Sequence, residues 1–170
     1  IKTYGDSNIV LATRNGAAIK FNESNVRCMG RTARGVRGIS LKGDDVVVGA
    51  VVVDETKKLI TITENGYGKR TPFSDFREMK NRGGVGVQCH NISEKTGKLA
   101  AVITVADDDD IMLITNEGTI IRTPVSSINL YSRTATGVIV MRLSGDKKIV
   151  NFALVDSAEE EEKAEELPLK

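Results

Sequence analysis

The chain has no tryptophan, one histidine, two cysteines and three prolines among its 170 residues. Each scarcity excludes something. Cys28 and Cys89 are too few for a disulfide framework and lack the spacing of a metal site. Acid–base chemistry would rest on His90 alone, and a neighbour on a strand, such as Cys89, points to the opposite face. Neither a Gly-x-x-x-x-Gly-Lys phosphate loop nor a Gly-x-Ser-x-Gly elbow is present. The four Phe and three Tyr are scattered and offer no stacking platform for single strands. No apolar run approaches the ~20 residues that cross a bilayer, and no signal-peptide pattern opens the sequence. No membrane partner is expected, and a soluble, cytoplasmic chain without catalytic residues is the reading.

Val, Ile and Thr are plentiful and there are 16 Gly, which favours an all-β chain with tight turns. Three apolar runs end in threonine, Ile9 to Thr13, Leu59 to Thr63 and Ile111 to Thr115, and each leads into a Gly-centred turn at Gly16, Gly66 or Gly118. A base follows four residues after each glycine: Lys20, Arg70, Arg122. This is an internal repeat, with 50 residues from Gly16 to Gly66 and 52 from Gly66 to Gly118. Asn15-Gly16 reads as a hairpin turn in which both residues tolerate positive φ.

Within each repeat the pattern predicts four strands. In the first they are Asn8 to Thr13, Ala17 to Phe21, Gly35 to Leu41 and Val46 to Asp54, the last apolar enough to be buried on both faces. In the second they lie near Leu59 to Thr63, Gly68 to Thr71, Val85 to Asn91 and Lys98 to Val105. In the third they lie near Ile111 to Thr115, Ile120 to Thr123, Val138 to Leu143 and Ile149 to Val155. Four strands per unit at this period imply propeller-like blades. The divisions are residues 8–57, 58–109 and 110–156, after 1–7 as the end of a preceding blade, so the chain is expected to be a fragment. Asp107 to Asp110, at a junction, reads as a solvated turn, since consecutive carboxylates rarely converge on one ion.

Charge is uneven. Residues 1–155 hold 22 Lys+Arg against 16 Asp+Glu, and residues 156–170 hold two Lys against seven acids; residues 157–170 are read as an acidic tail predicted to be disordered or loosely helical. Besides the hairpin bases, a second row stands four residues before each third-strand glycine, taken as Gly35, Gly84 and Gly137: Arg31, Lys80 and Arg133. Lys69 lies beside Arg70, and Arg34, Arg37 and Arg82 lie in the glycine-rich loops. Repetition would align these bases as a belt on an outer rim, suited to a polyanion of periodic charge such as double-stranded DNA.

Three segments carry a resemblance: Phe21 to Ile39, Thr63 to Thr71 and Ile114 to Thr123. In that order they resemble the C-terminal domain of the bacterial DNA gyrase A subunit, over about residues 1–156. The resemblance implies a β-pinwheel, a six-bladed disc whose blades exchange strands, of which this chain would form three blades. It implies that the domain wraps DNA on its basic rim and presents it in a positive-handed crossing, supporting ATP-dependent negative supercoiling. Partners would be the rest of gyrase A together with gyrase B, in the nucleoid; ATP and magnesium would be used elsewhere in the holoenzyme, with no cofactor here. The carry-over supports Lys20, Arg31, Arg34, Arg37, Lys69, Arg70, Arg82, Arg122 and Arg133. The family's heptapeptide Gln-Arg-Arg-Gly-Gly-x-Gly has only a partial echo in Asn81 to Gly86. The alternatives are the related C-terminal domain of topoisomerase IV and a propeller-type scaffold for protein partners.

Overall fold

Three hairpins with the same wiring frame the molecule. They are β1 (Asn8–Thr13) with β2 (Ala17–Asn22), β4 (Lys58–Thr63) with β5 (Tyr67–Pro72), and β9 (Asp110–Thr115) with β10 (Ile120–Pro124). The structure, a computed structural model, describes residues 1–155; the predicted acidic tail lies outside them. In each turn the glycine N–H donates to the threonine carbonyl at 3.0 Å. Gly16, Gly66 and Gly118 sit at φ 81°, 84° and 79°, and no other residue type takes positive φ among the described residues. The turn is therefore the kind in which glycine alone is left-handed, and Asn15 does not share the strain as the two-residue reading predicts.

The repeated threonine has a physical reason. Its buried hydroxyl accepts the N–H of the residue four positions on, from Ala17 at 3.2 Å, Tyr67 at 3.2 Å and Thr119 at 3.1 Å. Valine would fit the space and leave that N–H without a partner. Thr63→Val is expected to cost about 1–3 kcal/mol. A urea midpoint shifted down at unchanged slope is the readout, and an unmoved midpoint would show that the hydroxyl is dispensable.

After each hairpin comes a single 3-10 turn, Glu23–Asn25, Phe73–Asp75 or Val125–Ser127. The remaining strands are β3 (Val47–Val52), β6 (Glu78–Met79), β7 (Val87–Gln88), β8 (Leu99–Val105), β11 (Val138–Ile139) and β12 (Ile149–Val155). The sheets run β3-β1-β2 with β6 and β7 on the far side of β2, then β8-β4-β5-β11, then β12-β9-β10. Thus β7, from the second repeat, completes the first sheet, and β11, from the third, completes the second. Among the named strands all pairings are antiparallel except β2 with β6, and an isolated parallel bridge of Arg70 with Leu130 repeats that contact on β5.

Three expectations are corrected by this exchange. Gly35 to Leu41 is not a strand, and it pairs with no strand among the described residues. Its counterparts form two-residue strands, shorter than predicted, since each grips only the end of the neighbouring hairpin. Val46 to Asp54 is not buried on both sides: Val46 and Val47 are exposed, and only Val51 of β3 is fully buried. The strand covered on both faces is β4, with Leu59 to Thr63 all buried.

Alternation along β4 explains its position. Leu59 packs with Val10, Ala12, Val51 and Phe73 in the core between the first and second sheets. Ile60 and Ile62 pack with Ile111, Leu113, Ile128 and Phe152 between the second and third. Successive sheets are also tied by the backbone, with Leu99 N–H donating to Arg14 O at 2.9 Å and Ile149 N–H to Glu64 O at 2.8 Å.

Candidate nucleic-acid interface

The glycine that precedes each donated strand sets the register of the basic loops. Gly86 and Gly137 lie at φ 73° and 78°, and Gly35 at 79°. A Cβ on Gly86 would meet Ala18 O at 2.3 Å, and on Gly137 Gly68 O at 2.4 Å. The equivalent of Gly35 and Gly137 is thus Gly86 and not Gly84. The correction moves the middle base of the second row from Lys80 to Arg82, which joins Arg31 and Arg133 four residues before its glycine.

These arginines fasten repeats together. Arg82 Nη1 donates to Arg37 O at 2.8 Å and Arg133 Nη1 to Gln88 O at 3.0 Å, both two residues beyond the preceding repeat's glycine. Arg82 Nε also reaches Asn25 O at 3.0 Å. A guanidinium carries five N–H groups, so donors remain beyond these bonds. Arg31, at the equivalent position in the first repeat, is exposed.

Two of the three hairpin bases, Lys20 and Arg70, turn inward, while Arg122 stays exposed. Lys20 Nζ lies 2.7 Å from Glu55 Oε1 and 3.2 Å from Phe73 O, its side chain only 7% exposed. Arg70 pairs with Asp107 and donates through Nε to Ile128 O at 2.5 Å. Arg122 Nε is 2.6 Å from Asp110 Oδ2. Glu55 and Asp107 both follow the last strand of their repeat, so this ion pair recurs from the first repeat to the second. The Asp107 to Asp110 turn is likewise bound to its own chain, Asp109 Oδ2 accepting Ala106 N–H at 2.7 Å.

Lys69 does not lie on the rim. It is fully buried, and Nζ donates to Ser132 O at 2.8 Å and Arg133 O at 2.6 Å, holding the third repeat's loop. Burial lowers its pKa to about 8. Beside it, burial raises the Cys89 thiol to about 12 and, with the charge of Lys69, lowers His90 to about 4. A neutral His90 donates from Nε2 to Thr136 O at 3.0 Å and accepts at Nδ1 from the Thr61 hydroxyl at 2.9 Å. Cys89 and His90 are packing residues between sheets.

What remains outward is a set of loops between the 3-10 turn and the glycine, at residues 26–34, 77–85 and 129–136. The first carries Arg27, Arg31 and Arg34, all exposed, and leads to the exposed Arg37. The second carries exposed Arg77 and Lys80 and half-buried Arg82, and the third Arg133 alone. Arg27 and Arg77 escape a search keyed to the glycine; the signal that finds them is their place two residues past the 3-10 turn. Positive charge is graded along the edge, densest at the first two loops.

The profile of the family described as DNA gyrase C-terminal domain, beta-propeller, matches residues 7–54, 57–106 and 109–156. The chain belongs to this family. The DNA gyrase A subunit of Staphylococcus aureus (strain MRSA252) is 40% identical over 166 residues, covering 96% of this chain and 19% of the relative. That of Staphylococcus epidermidis (strain ATCC 12228 / FDA PCI 1200) is 41% identical over 160 residues, covering 93% of the chain and 18% of the relative. The chain therefore spans under one fifth of the curated relatives it matches. A solved DNA gyrase A C-terminal domain superposes with TM-score 0.82 at 29% identity, over 89% of this chain and 52% of that one. A solved topoisomerase IV C-terminal domain gives 0.85 at 25%, over 95% and 51%. The all-β pinwheel reading agrees with both, and the gyrase family's strand exchange is visible here as β7 and β11 crossing between sheets.

Proposed function

We propose that this chain is a DNA-binding and DNA-wrapping segment of a DNA gyrase A protein, holding duplex DNA by sequence-independent phosphate contacts along its outer edge. The observation that carries the reading is the exposed arginine run of the first basic loop, Arg27, Arg31, Arg34 and Arg37, continued by Arg77, Lys80 and Arg82 of the second. Arginine on small-residue loops suits phosphate oxygens through charge and fork geometry. Arg133 and Arg122 extend the path, while Lys20, Lys69 and Arg70 act by fixing the loops. Acting with the rest of gyrase A and with gyrase B in the cytoplasm, at the nucleoid, the segment would support ATP-driven negative supercoiling, with ATP and magnesium bound elsewhere in the holoenzyme. The likeness to topoisomerase IV supports a second reading, in which the same edge binds DNA with less wrapping.

Affinity for unrelated duplexes is expected to be similar and to fall steeply with salt. Arg31, Arg34 and Arg37 replaced together by Ala should reduce the log–log salt slope by up to about 3, at roughly 0.9 for each phosphate no longer neutralised. Binding that ignores salt, or a slope unchanged in the triple variant, would place the DNA elsewhere or nowhere.

A further inference from the structure

One turn occurs twice on the outer edge. Gly30-Arg31-Thr32-Ala33 and Ser132-Arg133-Thr134-Ala135 share the run Arg-Thr-Ala. In each the alanine N–H donates to the carbonyl three residues back, Ala33 to Gly30 O and Ala135 to Ser132 O, both at 3.1 Å. Only glycine takes positive φ among the described residues and no peptide bond is cis, so both are type I turns. The N–H groups of the two central residues stay outside the closed ring. Neither they nor the hydroxyls of Thr32 and Thr134 bond to any group among the described residues, and both threonines are exposed. Each turn therefore sets a guanidinium, a hydroxyl and two amide N–H groups side by side with donors to give.

The third turn is fixed from behind through its carbonyls. The Thr71 hydroxyl donates to Tyr131 O at 3.1 Å, Lys69 Nζ to Ser132 O at 2.8 Å and Arg133 O at 2.6 Å, and Asn91 N–H to Ala135 O at 3.3 Å. All of these donors belong to the second repeat. The acceptors of the loop are thus satisfied on its inner side, and what the loop leaves unbonded is donors. A set of donors on a backbone already held in place suits an oxyanion, because little ordering remains to be done when the ligand arrives.

Resting on the DNA-binding reading above, we propose that Thr32 and Thr134 are phosphate-contacting residues, each hydroxyl donating to a backbone oxygen of duplex DNA beside its arginine, so that the duplex is gripped at the first and third loops. The middle loop departs from the pattern. Its Arg82-Gly83-Gly84 has no hydroxyl, and its backbone is stitched to the first repeat, Gly83 N–H donating to Gly38 O at 2.7 Å and Gly83 O accepting the Ser40 hydroxyl at 2.6 Å. There Arg77, Lys80 and Arg82 contribute by charge, between two turns that add directed hydrogen bonds.

The threonines add hydrogen bonds and no charge, which separates them from the arginines by measurement. In the 170-residue chain, Thr32→Val with Thr134→Val is expected to weaken duplex binding about tenfold, one hydrogen bond to a charged acceptor being lost at each turn. The log–log salt slope should stay at the parent's value, because no charge that releases counterions is removed. Thr32→Ser with Thr134→Ser should return most of the affinity. Both side chains are exposed, so the thermal midpoint should not move. An affinity within about twofold of the parent, a loss that serine does not return, or a loss that differs between duplexes of unrelated sequence would each overturn the grip, the last because it would mark a base contact. A parent chain without salt-dependent binding would overturn the DNA reading itself, and this inference with it.

Discussion

Gly137→Ala is expected to destabilise the chain by about 2–5 kcal/mol, combining a left-handed backbone with a Cβ forced into a neighbouring carbonyl. The built Cβ lies 2.4 Å from Gly68 O and 2.9 Å from Gly68 C, backbone atoms of a strand held on both sides. Gly86→Ala, 2.3 Å from Ala18 O, should behave alike. Gly35→Ala has the same φ sign and open space, so only the backbone cost of about 1–2 kcal/mol remains. Three denaturation curves check this. Equal losses at all three glycines would mean that strand donation contributes nothing to stability beyond local turn strain.

The second large effect is a dependence on pH that originates in His90. Buried between Thr61 and Thr136, it stays neutral in the fold down to about 4. The unfolded chain binds a proton near the ordinary value of about 6.5, so between these values the unfolded state holds more protons. Stability is therefore complete above the unfolded value and is lost as the pH falls toward the folded one. The loss between pH 7.5 and 5 should be about 2 kcal/mol, approaching about 3 at pH 4. His90→Gln, which can still donate and accept, should flatten the profile between pH 7.5 and 5. Lys69 adds a separate window: its lowered pKa makes stability rise with pH between about 8 and its ordinary 10.5. Since His90 is the only histidine, its ring signals can be followed by NMR without ambiguity, and a midpoint near the ordinary value would sink this account.

The hairpins are legible in the sequence because everything that specifies them is local: Thr63, Gly66 and Tyr67 lie within five residues and bond to one another. The donated strands are not, because Val138 and Ile139 owe their conformation to β5, about seventy residues away in the chain, and a pairing at such distance leaves no periodic mark on two residues. The glycine of the second loop is misplaced by two positions in a reading of sequence alone because Gly83, Gly84 and Gly86 are all present, and only the approach to Ala18 O distinguishes the third. The buried fate of Lys69 is hidden for a related reason. Alternation on β5 assigns it a face, but whether that face meets water depends on the Ser132 and Arg133 loop of the next repeat. In the first repeat the corresponding strand position holds Ile19, also buried, which shows that the site accepts an apolar side chain as readily as an amine.

Because β11 completes the sheet built on β4 and β5, the unit repeated in the sequence is displaced from the unit that folds. During synthesis the second sheet cannot acquire its outer strand until Val138 and Ile139 have left the ribosome, long after Val105 has closed its inner side. Assembly must trail translation by most of a repeat. A chain halted between repeats would expose the open flank of a hairpin, available to whatever extended segment arrives next.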